Sequence, residues 1–253
     1  YGIHTMGDLA RFSLKNEGVL YEEFGINAEL LIDHAWGYES CTMKDIKAYK
    51  PENHSTGIGQ VLMEPYSYEK ALVVVKEMAD SLALELTEKG LCTDHVSLYV
   101  GYDSSNDLRN YQGEIKSDRY GRTGIRPAGA SLKLQNYTSS SRVITNVLSE
   151  LFQQAVDRDL LIRRININAD HVVLKSDANA SEKREQFSLF TDPEETLEER
   201  KRDEEEEKKE ESLQNAILDI KRRFGKNSVL KGTNFEEGAT GRQRNEQIGG
   251  HRE

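Results

Sequence analysis

From residue 161 the chain reads Leu161-Ile162-Arg163-Arg164-Ile165-Asn166-Ile167-Asn168, and the same extended segment runs on to Leu174. Ile165 and Ile167 alternate with Arg164, Asn166 and Asn168, the period-two pattern of a strand that buries one face and leaves the other polar. Two further stretches carry that pattern. Over residues 92–102, Val96, Leu98 and Val100 oppose His95, Ser97 and Tyr99; over 130–137, Leu132 and Leu134 oppose Ser131, Lys133 and Gln135. Residues 55–63 supply a fourth strand.

Two stretches of helical period separate these strands. Over 67–89, Leu72, Val75, Ala79, Leu82 and Leu86 recur at three- and four-residue spacing, as do Ile144, Val147, Leu148, Leu151 and Phe152 over 141–156. The order is β-α-β-β-α-β and the fold class α+β. Two helices cover only one face of a four-stranded sheet, so the other face is expected to be polar or to bind something.

The expected open face carries Ser131, Lys133, Gln135, Arg164, Asn166 and Asn168 and no carboxylate. Such a surface offers donors to phosphate oxygens without repelling them. The alternative is an ordinary solvated face, which would usually mix in glutamate. A net charge of −10 argues against nucleic acid as a partner, but the charge is unevenly placed. Residues 182–211 hold 14 acidic side chains against 7 basic ones, while 119–149 hold Arg119, Arg122, Arg126, Lys133 and Arg142 and no acid. For binding a polyanion the local field counts for more than the total. A polar stretch from 103 to 124, longer than most hairpin connections, joins the second and third strands.

Residues 1–50 read as short helices. Gly2 permits a tight turn, Thr5-Met6-Gly7-Asp8 is a capping box, and Met6, Leu9 and Phe12 share one side of the helix it opens. A second helix after Gly25 carries Ala28, Leu31, Ile32 and Ala35 and ends at Gly37. This is the layout of a helix-hairpin-helix, in which backbone amides approach a phosphate; small helical pairs also exist that only pack. Residues 46–54 read as a linker.

Beyond the sheet, residues 176–184 are too polar to bury a core. Gln186-Phe187-Ser188-Leu189-Phe190 then sets three large apolar side chains on that tether. It suits another protein's apolar pocket, or else a short edge packing on its own domain. Asp192-Pro193 starts a helix expected to run to Phe224 and close at Gly225. Its residues 198–212 contain nothing apolar and are expected to be solvated spacer; Leu213, Ile217, Ile220 and Phe224 then form a stripe expected to meet Val229, Leu230 and Phe235. No run approaches the roughly 18 apolar residues of a membrane span, and no basic-then-apolar leader is present. Cys41 and Cys92 lie far apart and the six histidines are scattered, so no zinc signature appears. A reducing, cytosolic setting follows. The start at Tyr1, inside a motif and without methionine, suggests a piece of a longer protein.

Taken in order, these segments resemble the C-terminal half of a Y-family (UmuC/DinB-like) translesion DNA polymerase, nearest the UV-damage-repair type of Gram-positive bacteria and their phages. Gly2-Ile3-His4-Thr5-Met6-Gly7-Asp8-Leu9-Ala10 resembles the family's G-I-x-T-I-G-D-L-A thumb sequence. Phe24-Gly25 through Ala35-Trp36-Gly37 resembles the thumb's last helix, with Asn27-Ala28 where a second glycine is usual. Ser55-Thr56-Gly57 resembles the entry to the little finger, and Ile162-Arg163-Arg164-Ile165 its last strand. Gln186 to Phe190 falls where such polymerases carry a clamp-binding peptide, and Ala216-Ile217-Leu218-Asp219-Ile220-Lys221 resembles the Gram-positive tail.

The resemblance implies a thumb at 1–50, a DNA-binding little finger at 51–180, and a clamp-binding peptide, charged helix and tail at 181–253. It implies a parent DNA-directed DNA polymerase acting in translesion synthesis, DNA repair and the SOS response of a bacterial cytoplasm. Its partners would be primer–template DNA, the sliding clamp and a recombinase filament, with no membrane. DNA contacts would fall on Ser55, Thr56, Gly57, Arg122, Arg126, Lys133, Arg163, Arg164 and Gly2, and clamp contacts on Gln186, Phe187, Leu189 and Phe190. The palm, whose acids hold Mg2+, precedes the thumb in the family and matches nothing in this stretch. No catalytic residue, cofactor or metal is therefore assigned here, and this stretch alone is not expected to polymerise. A stand-alone DNA-binding adaptor that recruits the clamp, an interaction protein working through its charged helix, and a different class of enzyme remain the alternatives.

Overall fold

The computed structural model describes residues 1–49, 54–117, 121–181 and 193–247, with side chains described throughout except at 179–181 and 193–204. Two units form, Tyr1–Glu52 and Asn53–Glu253.

In the first unit α1 spans Met6–Phe24 and α2 spans Asn27–Ala35. The capping box is present: the Thr5 hydroxyl accepts from the Asp8 amide at 3.1 Å, and the Asp8 carboxylate accepts from the Thr5 amide at 3.0 Å. Gly25, at φ 59, turns the chain between the helices in a region that favours glycine. Leu9, Leu20 and Ala28 form a small core with Ile3, Phe12, Leu31, Ile32 and Ala35 against it, while Met6 stays half exposed. The stretch expected to begin the linker belongs partly to a third helix, α3 (Met43–Ala48), opened by a second capping box from Thr42 and Asp45. The signal was present as Thr42-x-x-Asp45, but no apolar period supported it.

The second unit is built on an antiparallel sheet. Its long strands are β1 (Thr56–Tyr66), β2 (Leu91–Tyr102), β5 (Ala128–Thr138) and β6 (Ile162–Asp170), arranged β1-β6-β2-β5. The short β7 (Val173–Leu174) adds to β2, and β3 (Ile115–Ser117) pairs with β4 (Thr123–Ile125) as a separate hairpin inside the long polar connection. The segment from 161 to 174 is thus two strands broken at His171, whose φ of 51 is unusual for a residue with a Cβ. Helices α4 (Tyr68–Glu88) and α5 (Ser141–Ala155) cover one face. Val96, Leu98, Val100, Ile165 and Ile167 meet Val75, Met78, Leu82, Leu86, Ile144, Leu148 and Phe152 there in one core. Leu132 lies opposite Val96 on the same face but is 42% exposed, because β5 is an edge strand and the helices do not reach past it.

The C-terminal segment departs from expectation. After α6 (Lys175–Ser181), α7 runs over Pro193–Phe224 as a single helix closed by Gly225. Of its acidic part, the side chains of 205–209 are exposed, as a spacer's would be, but the stretch also docks. The Glu210 carboxylate accepts from the Ser140 hydroxyl at 2.6 Å and the Arg142 amide at 2.9 Å, and Glu206 pairs with Arg142 at 3.1 Å. Carboxylates are favoured at a helix N-terminus, where unpaired amides and the helix dipole attract them, and here that terminus is α5's. The apolar stripe is correspondingly turned outward. Gln214 and Leu218 are buried, whereas Leu213 and Phe224 are 61% and 74% exposed.

Beyond α7 a strap crosses the outer side of α4, through a 3-10 turn (Gly232–Phe235) and α8 (Gly241–Asn245). Glu77, only 5% exposed, anchors it. Its carboxylate accepts from Asn234 Nδ2 at 2.6 Å and from the amides of Thr240 and Gly241 at 2.7 and 3.0 Å. Lys231 adds a 2.6 Å pair with Asp80.

Candidate nucleic-acid interface

With one sheet face under helices, the other stays open among the described residues of this unit: Tyr99 is 41% and Val61 61% exposed. The strand registers define it as four rows across β1-β6-β2-β5. Asp170, His95 and Lys133 form the first row, and Gly57, Asn168, Ser97 and Ser131 the second. Gly59, Asn166, Tyr99 and Gly129 form the third; Val61, Arg164 and Gly101 the fourth. Arg164 and Asp170 are six positions apart, about 20 Å at roughly 3.3 Å per residue. That length matches about six base-pair steps of a duplex, at about 3.4 Å per step.

The glycines on β1 are required by their neighbours. A Cβ on Gly57 would meet the Asn168 side chain and lie 2.8 Å from the Ile167 carbonyl oxygen; one on Gly59 would lie 2.5 Å from the Asn166 amide group. The centre is therefore low and lined by the asparagine amides, with Ser97 and Tyr99 beside them. Asn168 Nδ2 donates to Ser97 Oγ at 3.3 Å. Both edges of the sheet, β1 and β5, present backbone groups that no other strand of the sheet pairs.

The residues expected to touch DNA divide into two groups. Arg164, Lys133 and Gly57 lie on the open face, and Ser55 is exposed just before β1. Arg122 is exposed ahead of β4. The others face elsewhere or hold the protein itself. Thr56 belongs to the covered face, where its hydroxyl donates to Glu85 at 3.2 Å. Arg163 is the extra residue of a bulge against β2; it donates to the Met63 carbonyl at 2.9 Å and sits 3.8 Å from Asp103. Arg126 pairs with Glu114 across the β3–β4 hairpin. Gly2, at φ 68, precedes α1 in the first unit. Gln186, Phe187, Leu189 and Phe190, like Arg119, lie outside the described residues.

The open face does carry a carboxylate, contrary to expectation. The alternation of β6 continues two residues past Asn168 to Asp170, which bonds to Ser97 Oγ at 2.9 Å and His95 Nδ1 at 3.2 Å. At the same end the 11%-exposed side chain of Asp94 lies 3.1 Å from His171 Nδ1 and 3.7 Å from Lys133 Nζ. Extending the period-two count to residue 170 would have found Asp170; nothing in the sequence marked the partnership of Asp94 with His171.

Among the described residues no three His, Cys, Asp or Glu side chains converge to hold a metal ion. No helix among them is long and apolar enough to cross a membrane.

An open sheet face of this composition on a helix-backed β-α-β-β-α-β unit coincides with the comparison to known families. The model of the impB/mucB/samB family C-terminal domain matches residues 53–189, more than half of the chain. The chain belongs to that family. It is a Y-family polymerase C-terminal region, of the kind that serves DNA damage tolerance. No curated protein matches it.

Proposed function

We propose that this chain is the duplex-gripping and clamp-recruiting part of an error-prone translesion DNA polymerase. The observation that carries the proposal is the open sheet face: amides and hydroxyls at its centre, Arg164 and Lys133 at its ends, and its opposite face closed by α4 and α5. Contacts of this kind address phosphate and sugar and do not read sequence. A polymerase copying distorted templates gains from that indifference. The first unit, with its Gly2 turn and its glycine hairpin between α1 and α2, is assigned phosphate contacts of its own. Ser55, Gly57 and Arg122 are assigned secondary contacts. Thr56, Arg126 and Arg163 are assigned a supporting role: Thr56 lies on the covered face, Arg126 pairs across the β3–β4 hairpin, and Arg163 is held in its bulge beside Met63 and Asp103.

Grip through a few phosphates is weak, and we assign processivity to the sliding clamp, through Gln186, Phe187, Leu189 and Phe190. Buried anchors of such interfaces cost about 2 kcal/mol or more apiece when truncated. The Leu189→Ala, Phe190→Ala variant should lose clamp binding and keep duplex binding; retained clamp binding would assign the peptide to its own domain.

The grip is tested by fluorescence anisotropy on a primer–template duplex across a salt series. Arg164→Ala with Lys133→Ala should weaken binding and flatten the log–log salt slope by about 0.9 for each phosphate that is no longer neutralised. An unchanged affinity and slope would remove the sheet face from the interface.

A further inference from the structure

His95 and His171, at the Lys133 end of the open face, have no role in the mechanism above. The two rings lie with centroids 5.3 Å apart. Each has its Nδ1 engaged by a carboxylate, His95 by Asp170 at 3.2 Å and His171 by Asp94 at 3.1 Å. His171 is held in left-handed backbone at the break between β6 and β7, with its side chain 63% exposed. A carboxylate at Nδ1 fixes which nitrogen carries the proton of a neutral imidazole, and the Nε2 atom then presents only a lone pair. A lone pair repels a phosphate oxygen. Protonation turns the same atom into a charged donor.

We infer that His95 and His171 form a phosphate seat at this end of the sheet which accepts a duplex backbone when the imidazoles are protonated and repels it when they are neutral. The inference rests on the duplex-gripping proposal and extends it to these two residues. One lysine (Lys133) against two aspartates (Asp94 and Asp170) leaves this end at −1, and two imidazolium charges bring it to +1. Among the described residues, the Tyr137 phenol on β5 also lies near Asp94, and the backbone of His54 adjoins this end, its carbonyl accepting from the Val172 amide at 2.9 Å. Burial first, then Asp94 and Cys92, push the Tyr137 phenol above its ordinary value, so it stays neutral. The end opposite Arg164, with Asp94 and His171 counted beside the first row, therefore changes sign when His95 and His171 are both protonated.

The test measures duplex affinity by anisotropy with the full chain at about pH 6 and about pH 8, which span the range in which imidazoles change charge, at constant ionic strength. The parent chain should bind about three- to tenfold tighter at the lower pH, the worth of one or two neutralised phosphates at moderate salt. His95→Gln with His171→Gln should remove most of that gain. Asp94→Asn with Asp170→Asn should instead raise affinity at the higher pH, an increase that a misfolded variant would not give. A full pH gain in the histidine variant, or no increase in the aspartate variant, overturns the seat. If Arg164 and Lys133 still matter in that case, the grip itself stands. No duplex binding at either pH overturns both.

Discussion

Replacing Glu77 with alanine should release the strap while leaving the sheet intact. The carboxylate is buried and accepts from one side-chain amide and two backbone amides at 2.6, 2.7 and 3.0 Å. Hydrogen bonds to a charged group contribute about 1.5–3 kcal/mol each, but donors freed on a lifted strap regain water. The net loss in docking is therefore nearer about 3 kcal/mol than the sum, or a shift of roughly a hundredfold in the strap's opening equilibrium at about 1.4 kcal/mol per decade. Hydrogen exchange reads this directly. The amides of Thr240 and Gly241 should exchange about a hundredfold faster, and those of Ile165 and Ile167 in the central strand should not change. Glu77→Gln keeps one carbonyl acceptor and should fall between. Protection at Thr240 and Gly241 that survives the alanine substitution would show that Lys231 and its neighbours hold the strap without the buried carboxylate.

Three further outcomes follow from the same geometry. Phe152 is fully buried with its ring 4.9 Å from that of Tyr68, so Phe152→Ala should cost about 3–5 kcal/mol in urea denaturation; a loss under about 1 kcal/mol would mean the core collapses around the gap. Gly57→Val would drive a Cβ toward the Ile167 carbonyl and the Asn168 side chain, and should destabilise by about 1–3 kcal/mol and shift the Asn168 amide resonances. An unchanged denaturation midpoint and unchanged resonances would show that β1 can move aside. Asp103 is held below the usual carboxylate range by hydrogen bonds from Ser105 and then by Arg163. A depressed folded-state pKa gives stability present above the unfolded value, about 4, and lost as pH falls through the folded one. Asp103→Asn should thus be less stable than the parent near neutrality, with the two converging toward about pH 2; a gap independent of pH would exclude the carboxylate's charge as the cause.

The strands and both covering helices were legible because their side chains alternate or recur against one core, as at Val96, Leu98, Val100 and along Leu72–Leu86. Arg164 and Lys133 followed from the same alternation. What escaped depends on polar contacts between residues distant in the chain. Glu77 sits on a helix face that looks solvated until Thr240 and Gly241 are brought to it, 163 and 164 residues later. Glu206 and Glu210 read as spacer because hydrophobic periodicity cannot register a carboxylate docking on another helix's N-terminus. The outward turn of Leu213 and Phe224 follows from that docking, which fixes the roll of α7 through Gln214 and Leu218. Thr56, Arg126 and Arg163 carried the right chemistry for phosphate, but sequence alone could not show Glu85, Glu114 and Met63 already in place beside them.

The central claim is that a duplex lies along the open sheet face. Its most direct test is an amide chemical-shift map of the chain titrated with a short primer–template duplex. Gly57, Gly59 and Gly129 and the side-chain amides of Asn166 and Asn168 should move together with the DNA, while Thr240 and Gly241 on the strap stay still. Shifts gathered on the strap and the outer side of α4, with the asparagine amides unmoved, would contradict it.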